Sequence, residues 1–132
     1  MFLNQLTMLE KESFISLSIH AAKANGIFAD EEYAMLEEYC KEMGIAFFDA
    51  NNVKSLEQVF DVYKDSDEKN KKIVLFEILG LLYSDGAYDD LEKKFAIDFA
   101  EKVGLSKEIV EMQTELLIRY LDLVKEIGNV IL

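Results

Sequence analysis

Proline and tryptophan are missing from all 132 residues, and cysteine and histidine occur once each. Without proline, no position removes a backbone donor or forces a kink, so nothing local forbids helix anywhere in the chain. A single cysteine, Cys40, excludes an internal disulfide and fits a reducing compartment. Cys40 and His20 together fall short of the three or four ligands that zinc takes. Positive charge is scarce as well: 14 Lys and Arg stand against 26 Asp and Glu, a formal net charge of −12. Phosphate backbones bind clustered cations, so nucleic acid is not an expected ligand. The acidity suits a basic protein partner or a divalent cation, and it also keeps a surface soluble. Long apolar runs are absent too. The most apolar stretch, IVLFEILGLLY at 73–83, is broken by Glu77 and Gly80 and is well short of the ~20 residues a spanning helix needs. It reads as a central core helix, with no membrane insertion. No basic-then-apolar leader opens the chain, so the expected address is the cytoplasm.

Hydrophobic residues make up 51% of the chain and charged residues 30%, the balance of one folded domain over 1–132. Apolar residues recur at three- and four-residue intervals, which predicts an all-α bundle of about six to seven helices. A first helix is expected over 10–24, with MFLNQLTML supplying a short helix ahead of it and Asn25-Gly26 ending it. A second, over 30–43, points Tyr33, Leu36, Tyr39, Cys40 and Met43 inward and stops at Gly44. A third, near 52–63, is capped by Asp49 or Ser55. Asp65 and Glu68 have capping-box spacing ahead of the central helix, which runs to about Ser84. Glu77 is read as part of a polar-to-small stripe with Asn70, Gly80 and Ser84, facing water or the neighbouring hairpin. A fifth helix, over 90–103, buries Phe95, Ala96, Phe99, Ala100 and Val103 and stops at Gly104. Ser106 caps a sixth, over 107–127. Its apolar residues form two stripes, one of Ile109, Met112, Leu116, Tyr120, Leu123 and Ile127 and one of Val110, Leu117, Leu121 and Val124. Deep burial is expected of this helix, the alternative being a homodimer through it.

The chain repeats itself. Aligning each residue with the one 60 positions later matches Gly26 to Gly86, Asp30 to Asp90, Glu32 to Glu92 and Gly44 to Gly104, with Tyr39 on Phe99 and Ile45 on Leu105. Two helical hairpins of one design follow, each needing a partner to cover its apolar face. On YSDGAYDDLEKKF, and more loosely KANGIFADEEYAM, each followed by a helix closing in VGL or MGI, the chain resembles the tellurite-resistance TerB-like family. It is similar also to the N-terminal domain of the DjlA co-chaperone. The resemblance spans roughly 10–125. It implies a compact all-α domain with an acidic surface, associated with stress or toxic-anion resistance and without catalysis. Asn25 stands where the second copy has Asp85, and Ala29 where it has Asp89, so a charge-dependent role falls mainly on the second hairpin.

Set against a calcium-binding EF-hand loop, Asp85, Gly86, Tyr88 and Glu92 take positions five, six, eight and twelve, but positions one and three are Leu81 and Tyr83. Too few oxygen ligands remain for tight calcium binding. Asp89 and Glu92 have instead the spacing of a capping box. Asp85 is left over, and with Asp89 and Glu92 it makes a candidate weak divalent-cation site. Asp30, Glu32, Asp85, Asp90 and Glu92 are the candidate partner-binding residues. No nucleophile is placed beside a base, and no phosphate-cradling GxxxxGK occurs. The expected function is therefore a non-enzymatic interaction module that binds a protein through acidic turns. The alternative is a metal-binding or metal-sensing protein, and no cofactor is required.

Overall fold

The computed structural model describes residues 1–24, 30–46, 52–83 and 89–132, with the side chain of Glu31 outside the description. Among these residues six α-helices follow a short 3-10 turn at Leu3–Gln5: α1 (Met8–Ala22), α2 (Asp30–Met43), α3 (Leu56–Lys64), α4 (Glu68–Leu82), α5 (Asp90–Val103) and α6 (Lys107–Ile131). No strand occurs among the described residues. The all-α bundle expected from the apolar spacing is what forms.

Each start has a local cause. Thr7 opens α1 with a reciprocal box: its hydroxyl accepts from the Glu10 N–H at 3.2 Å, and the Glu10 carboxylate accepts from the Thr7 N–H at 2.8 Å. The helix therefore begins two residues ahead of the expected start and closes at Lys23; Asn25-Gly26 lies outside the described residues. Ser55 and Gln58 make a second box at α3, and the rival cap Asp49 is outside the description. The expected pairing of Asp65 with Glu68 does not form. Asp65 closes α3, and Asp67 caps α4 by accepting from the Asn70 N–H at 2.8 Å. No reciprocal bond returns: the Asn70 side chain turns to α1 instead, its Nδ2 donating to the Glu10 carboxylate, also at 2.8 Å.

The repeat is closer than its motif. The bounds of α4 and α5 are those of α1 and α2 moved by 60 positions, as are the caps Thr7 and Asp67. Both second helices stop in the same way. Gly44 and Gly104 adopt positive φ, 75° and 89°, and the following N–H reaches back five residues, Ile45 to Cys40 and Leu105 to Ala100, at 2.8 Å in each case. That is the Schellman closure, which needs a residue free of a Cβ penalty in the left-handed region. The inward stripe of α5 is Glu92, Ala96, Phe99, Ala100 and Val103; that of α2 is Glu32, Leu36, Tyr39, Cys40 and Met43. Tyr33, expected inside, is 45% exposed because Glu32 holds the inward position one step round the helix.

α4 runs through the centre, packing on α1, α5, α6 and the 3-10 turn. Val74, Leu75, Ile78, Leu79, Leu81 and Leu82 are all sealed from solvent, the signature of a helix covered on most sides. Asn70 and Glu77 are buried as well, so of the two expected surroundings, water or the neighbouring hairpin, it is the protein side that they face. Both are sheltered because they find partners: Asn70 bonds Glu10, and Glu77 receives the Phe2 N–H at 3.2 Å and the Met1 amino group at 3.0 Å. Glu10 and Asn70, equated by the repeat, touch each other, and the contacts of α1 and α2 are matched by those of α4 and α5, a pseudo-twofold relation whose halves meet at this bond.

Candidate interaction surface

The acidic residues singled out by the repeat separate by role. Glu92 is 2% exposed and Glu32 3%. At α5 the capping box is formed: Asp89 accepts from the Glu92 N–H at 2.9 Å, and Glu92 accepts from the Asp89 N–H at 3.3 Å. Both carboxylates thus satisfy otherwise orphaned backbone donors at a helix start. Asp30 and Asp90 are exposed at the first positions of α2 and α5, where negative charge complements the helix dipole. Asp90 also edges a shallow groove of about 570 Å³ between α5 and α6, shared with Lys93, Ile97, Val110 and Ile118. Asp85 lies outside the described residues, so the set Asp85, Asp89 and Glu92 is not brought together within them. Among the described residues no group of three or more His, Cys, Asp or Glu is arranged to hold a metal ion.

The other chemical candidates are engaged structurally. His20 Nε2 lies 2.8 Å from the Lys54 carbonyl, which fixes that nitrogen as the donor. It ties α1 to the lead-in of α3. Cys40 is buried, and burial, with a smaller push from the Glu37 charge, raises its thiol pKa. A thiol so placed resists forming the nucleophilic thiolate. Burial also drives the Tyr39 and Tyr63 hydroxyls up, aided by Glu77 and Glu10 respectively. These hydroxyls donate to backbone carbonyls, Tyr39 to Glu77 at 3.3 Å and Tyr63 to Glu10 at 2.8 Å.

What stands out instead is α6. Deep burial was expected of it, and the structure overturns that: only Val110 and Leu117 are buried, while Leu116, Tyr120, Leu121, Leu123, Val124 and Ile127 are 41 to 53% exposed. The reason is the length of the neighbours. α4 and α5 cover the first half of the helix, and the second half runs on past them along the same apolar face. Beside α6 lies a groove of about 800 Å³, walled by Phe2, Ile73, Phe76, Leu116 and Tyr120 and rimmed by Glu68, Lys69 and Lys72. Gln113 closes its base, donating from Nε2 to the Lys72 carbonyl at 3.0 Å while its Oε1 is enclosed without a donor.

The sequence contained the signal for this surface without its meaning. Both stripes of α6 are visible in the spacing, but the groove depends on Phe2, some seventy residues from its neighbours Ile73 and Phe76. Compared with known proteins, the chain matches no family model, no curated protein and no solved structure. Among the described residues, no helix is long and apolar enough to cross a membrane.

Proposed function

We propose that the chain is a non-enzymatic helical interaction module of the TerB-like kind, acting in the cytoplasm in a stress or toxic-anion response and binding a protein partner. The observation that carries this reading is the uncovered apolar face of α6 together with the groove beside it. Contiguous apolar surface of this extent marks an interaction site on a protein that folds by itself. Helical partners are the natural fit, because an apolar face at three- and four-residue spacing offers knobs and holes for another helix. The exposed Asp30 and Asp90 contribute an acidic component at the starts of α2 and α5, suited to steering a basic partner. A non-catalytic role is supported by the engagement of His20 with a carbonyl and by the burial of Cys40. Divalent-cation binding at Asp85, Asp89 and Glu92 is the alternative. It competes with the backbone donors those last two carboxylates already serve.

Affinity capture from a cell extract tests the reading. The wild-type chain retains a partner, Leu123→Glu with Ile127→Glu reduces retention at least about tenfold, and Asp30→Asn with Asp90→Asn reduces it less. Capture unchanged by the α6 pair, in a chain that keeps its helical circular dichroism, overturns the surface assignment. Titration calorimetry with Ca²⁺, Mg²⁺ and Mn²⁺ decides the alternative: heat that disappears in Asp85→Asn establishes it, and the absence of heat at millimolar ion removes it.

A further inference from the structure

The two halves of the molecule differ at one place. Under the pseudo-twofold that exchanges α1 and α2 with α4 and α5, α3 packs on α1 and α5, and the 3-10 turn packs on α4 and α2. The two are counterparts, and Leu3 and Tyr63, equated by the 60-residue offset, are both fully buried. The turn has three residues and α3 has nine. On α1 the lead-in to α3 sits on Ser13 and Ser16, through Lys54 Nζ at 3.2 Å and Lys54 N–H at 3.0 Å. Their counterparts on α4 are Ile73 and Phe76, which line the groove instead. The groove is thus a slot whose counterpart on α1 is covered by the lead-in to α3, while on α4 it stays open between the 3-10 turn and α6.

We propose that this slot receives the end of α6 from another copy of the chain, in a reciprocal antiparallel pairing centred near Val124. The proposal rests on the interaction-module reading and names its partner. Register is the first argument. The slot-facing residues Gln113, Leu116 and Tyr120 continue along α6 as Leu123, Ile127 and Val130, at alternating spacings of three and four. When two such helices run antiparallel about Val124, residue 128 of one stands opposite Tyr120 of the other and residue 132 opposite Leu116, so the end of each tail lies along the other's slot. Such a contact is isologous and closes at two copies.

Charge is the second argument. The chain carries −12 overall, yet residues 119–132 are balanced, with Arg119 and Lys125 against Asp122 and Glu126. The slot rim is mixed in sign as well, Lys69 and Lys72 standing beside Glu68, and the tail residues that reach it, 128–132, carry no charged side chain. Antiparallel pairing keeps the acidic bundles at opposite ends of helices about 37 Å long, whereas parallel pairing would press them together. Area is the third. Exposures of 45 to 87% along Tyr120, Leu123, Val124, Ile127 and Val130, added to the slot, amount to several hundred Å², the order of the ~800 Å² each partner contributes to a standard interface. An anionic membrane surface is a poorer occupant, since helices that lie on membranes carry Lys and Arg along the polar face.

Sedimentation of the purified chain over micromolar concentrations is the test. The expected result is a dimer whose dissociation constant rises at least about 100-fold in Val124→Glu with Ile127→Glu, and by a smaller factor in Lys69→Glu with Lys72→Glu. Val124, Ile127 and Lys69 are exposed and Lys72 half-buried, so helical content should be unaffected, and melting of the dilute monomer should be unaffected in the α6 pair. In a Cys40→Ser background, Val124→Cys should oxidise to a disulfide-linked dimer and Ile131→Cys should not, because only midpoint residues face their own copies in an antiparallel pair. A chain that is monomeric throughout, a dimer indifferent to the α6 substitutions, or ready cross-linking of Ile131→Cys overturns the proposal. A monomer that still captures an extract protein through Leu123 and Ile127 removes the second copy as partner and leaves the module reading standing.

Discussion

Glu10 accepts hydrogen bonds from the Thr7 N–H and the Asn70 amide, both at 2.8 Å, while its own backbone carbonyl accepts from Tyr63. It therefore joins a helix start, the pseudo-twofold contact and the third helix in one buried place. Burial by itself would raise the pKa of its carboxyl, but hydrogen bonds from Ser66, Thr7 and Asn70 outweigh that and hold it below its ordinary value of 4.5. A depressed folded-state pKa means that the ionised form is preferred in the native protein. The associated stability is present above pH 4.5 and is lost as pH falls through the folded value. Acid unfolding followed by circular dichroism should accordingly show a shallower loss below pH 4.5 in Glu10→Gln than in the wild type. At pH 7 the same substitution should lower unfolding stability by about 1–3 kcal/mol, because the amide cannot replace charge-assisted acceptance from buried donors. Thr7-x-x-Glu10 is a readable capping pattern, so part of this role was legible. The bond to Asn70 was not, since no local rule pairs side chains sixty residues apart.

The helices themselves respond chiefly to their ends. Gly44 and Gly104 sit at positive φ, where a Cβ costs about 1–2 kcal/mol. Gly44→Ala and Gly104→Ala should each lose about that much in chemical denaturation, with similar values because the two closures are alike. Gly80 is a different case. It lies inside α4, and a Cβ there would meet nothing nearer than the Tyr39 hydroxyl at 4.0 Å, so Gly80→Ala should be neutral or stabilise by up to about 1 kcal/mol through helix propensity. Glycine stops are signals contained in a few adjacent residues, which is why the bounds of α2 and α5 could be read before the fold was known. The start of α4 was misplaced because Asp65 and Asp67 are both good caps. The choice between them follows from the packing of Asn70 against Glu10, a tertiary matter.

Across the whole molecule, α6 divides at the edge of the bundle. Leu117 is 4% exposed and Val124, one heptad later, 47%. Leu117→Ala should therefore cost about 2–4 kcal/mol, whereas Val124→Ala should fall within about 0.5 kcal/mol in dilute solution. Thermal melts at low protein concentration separate the two, and equal losses would show that the tail is covered within a single copy. The all-helical character, the duplicated hairpins and their glycine stops were set by the sequence alone, because helix spacing, caps and left-handed closures depend on residues within a turn or two of one another. Which stripe of α6 is covered, where Glu10 finds its amide, and why a slot lies beside α4 were decided only in three dimensions. Burial depends on how far neighbouring elements reach, and the meeting of Phe2 with Ile73 and Phe76 around one groove leaves no mark on local periodicity.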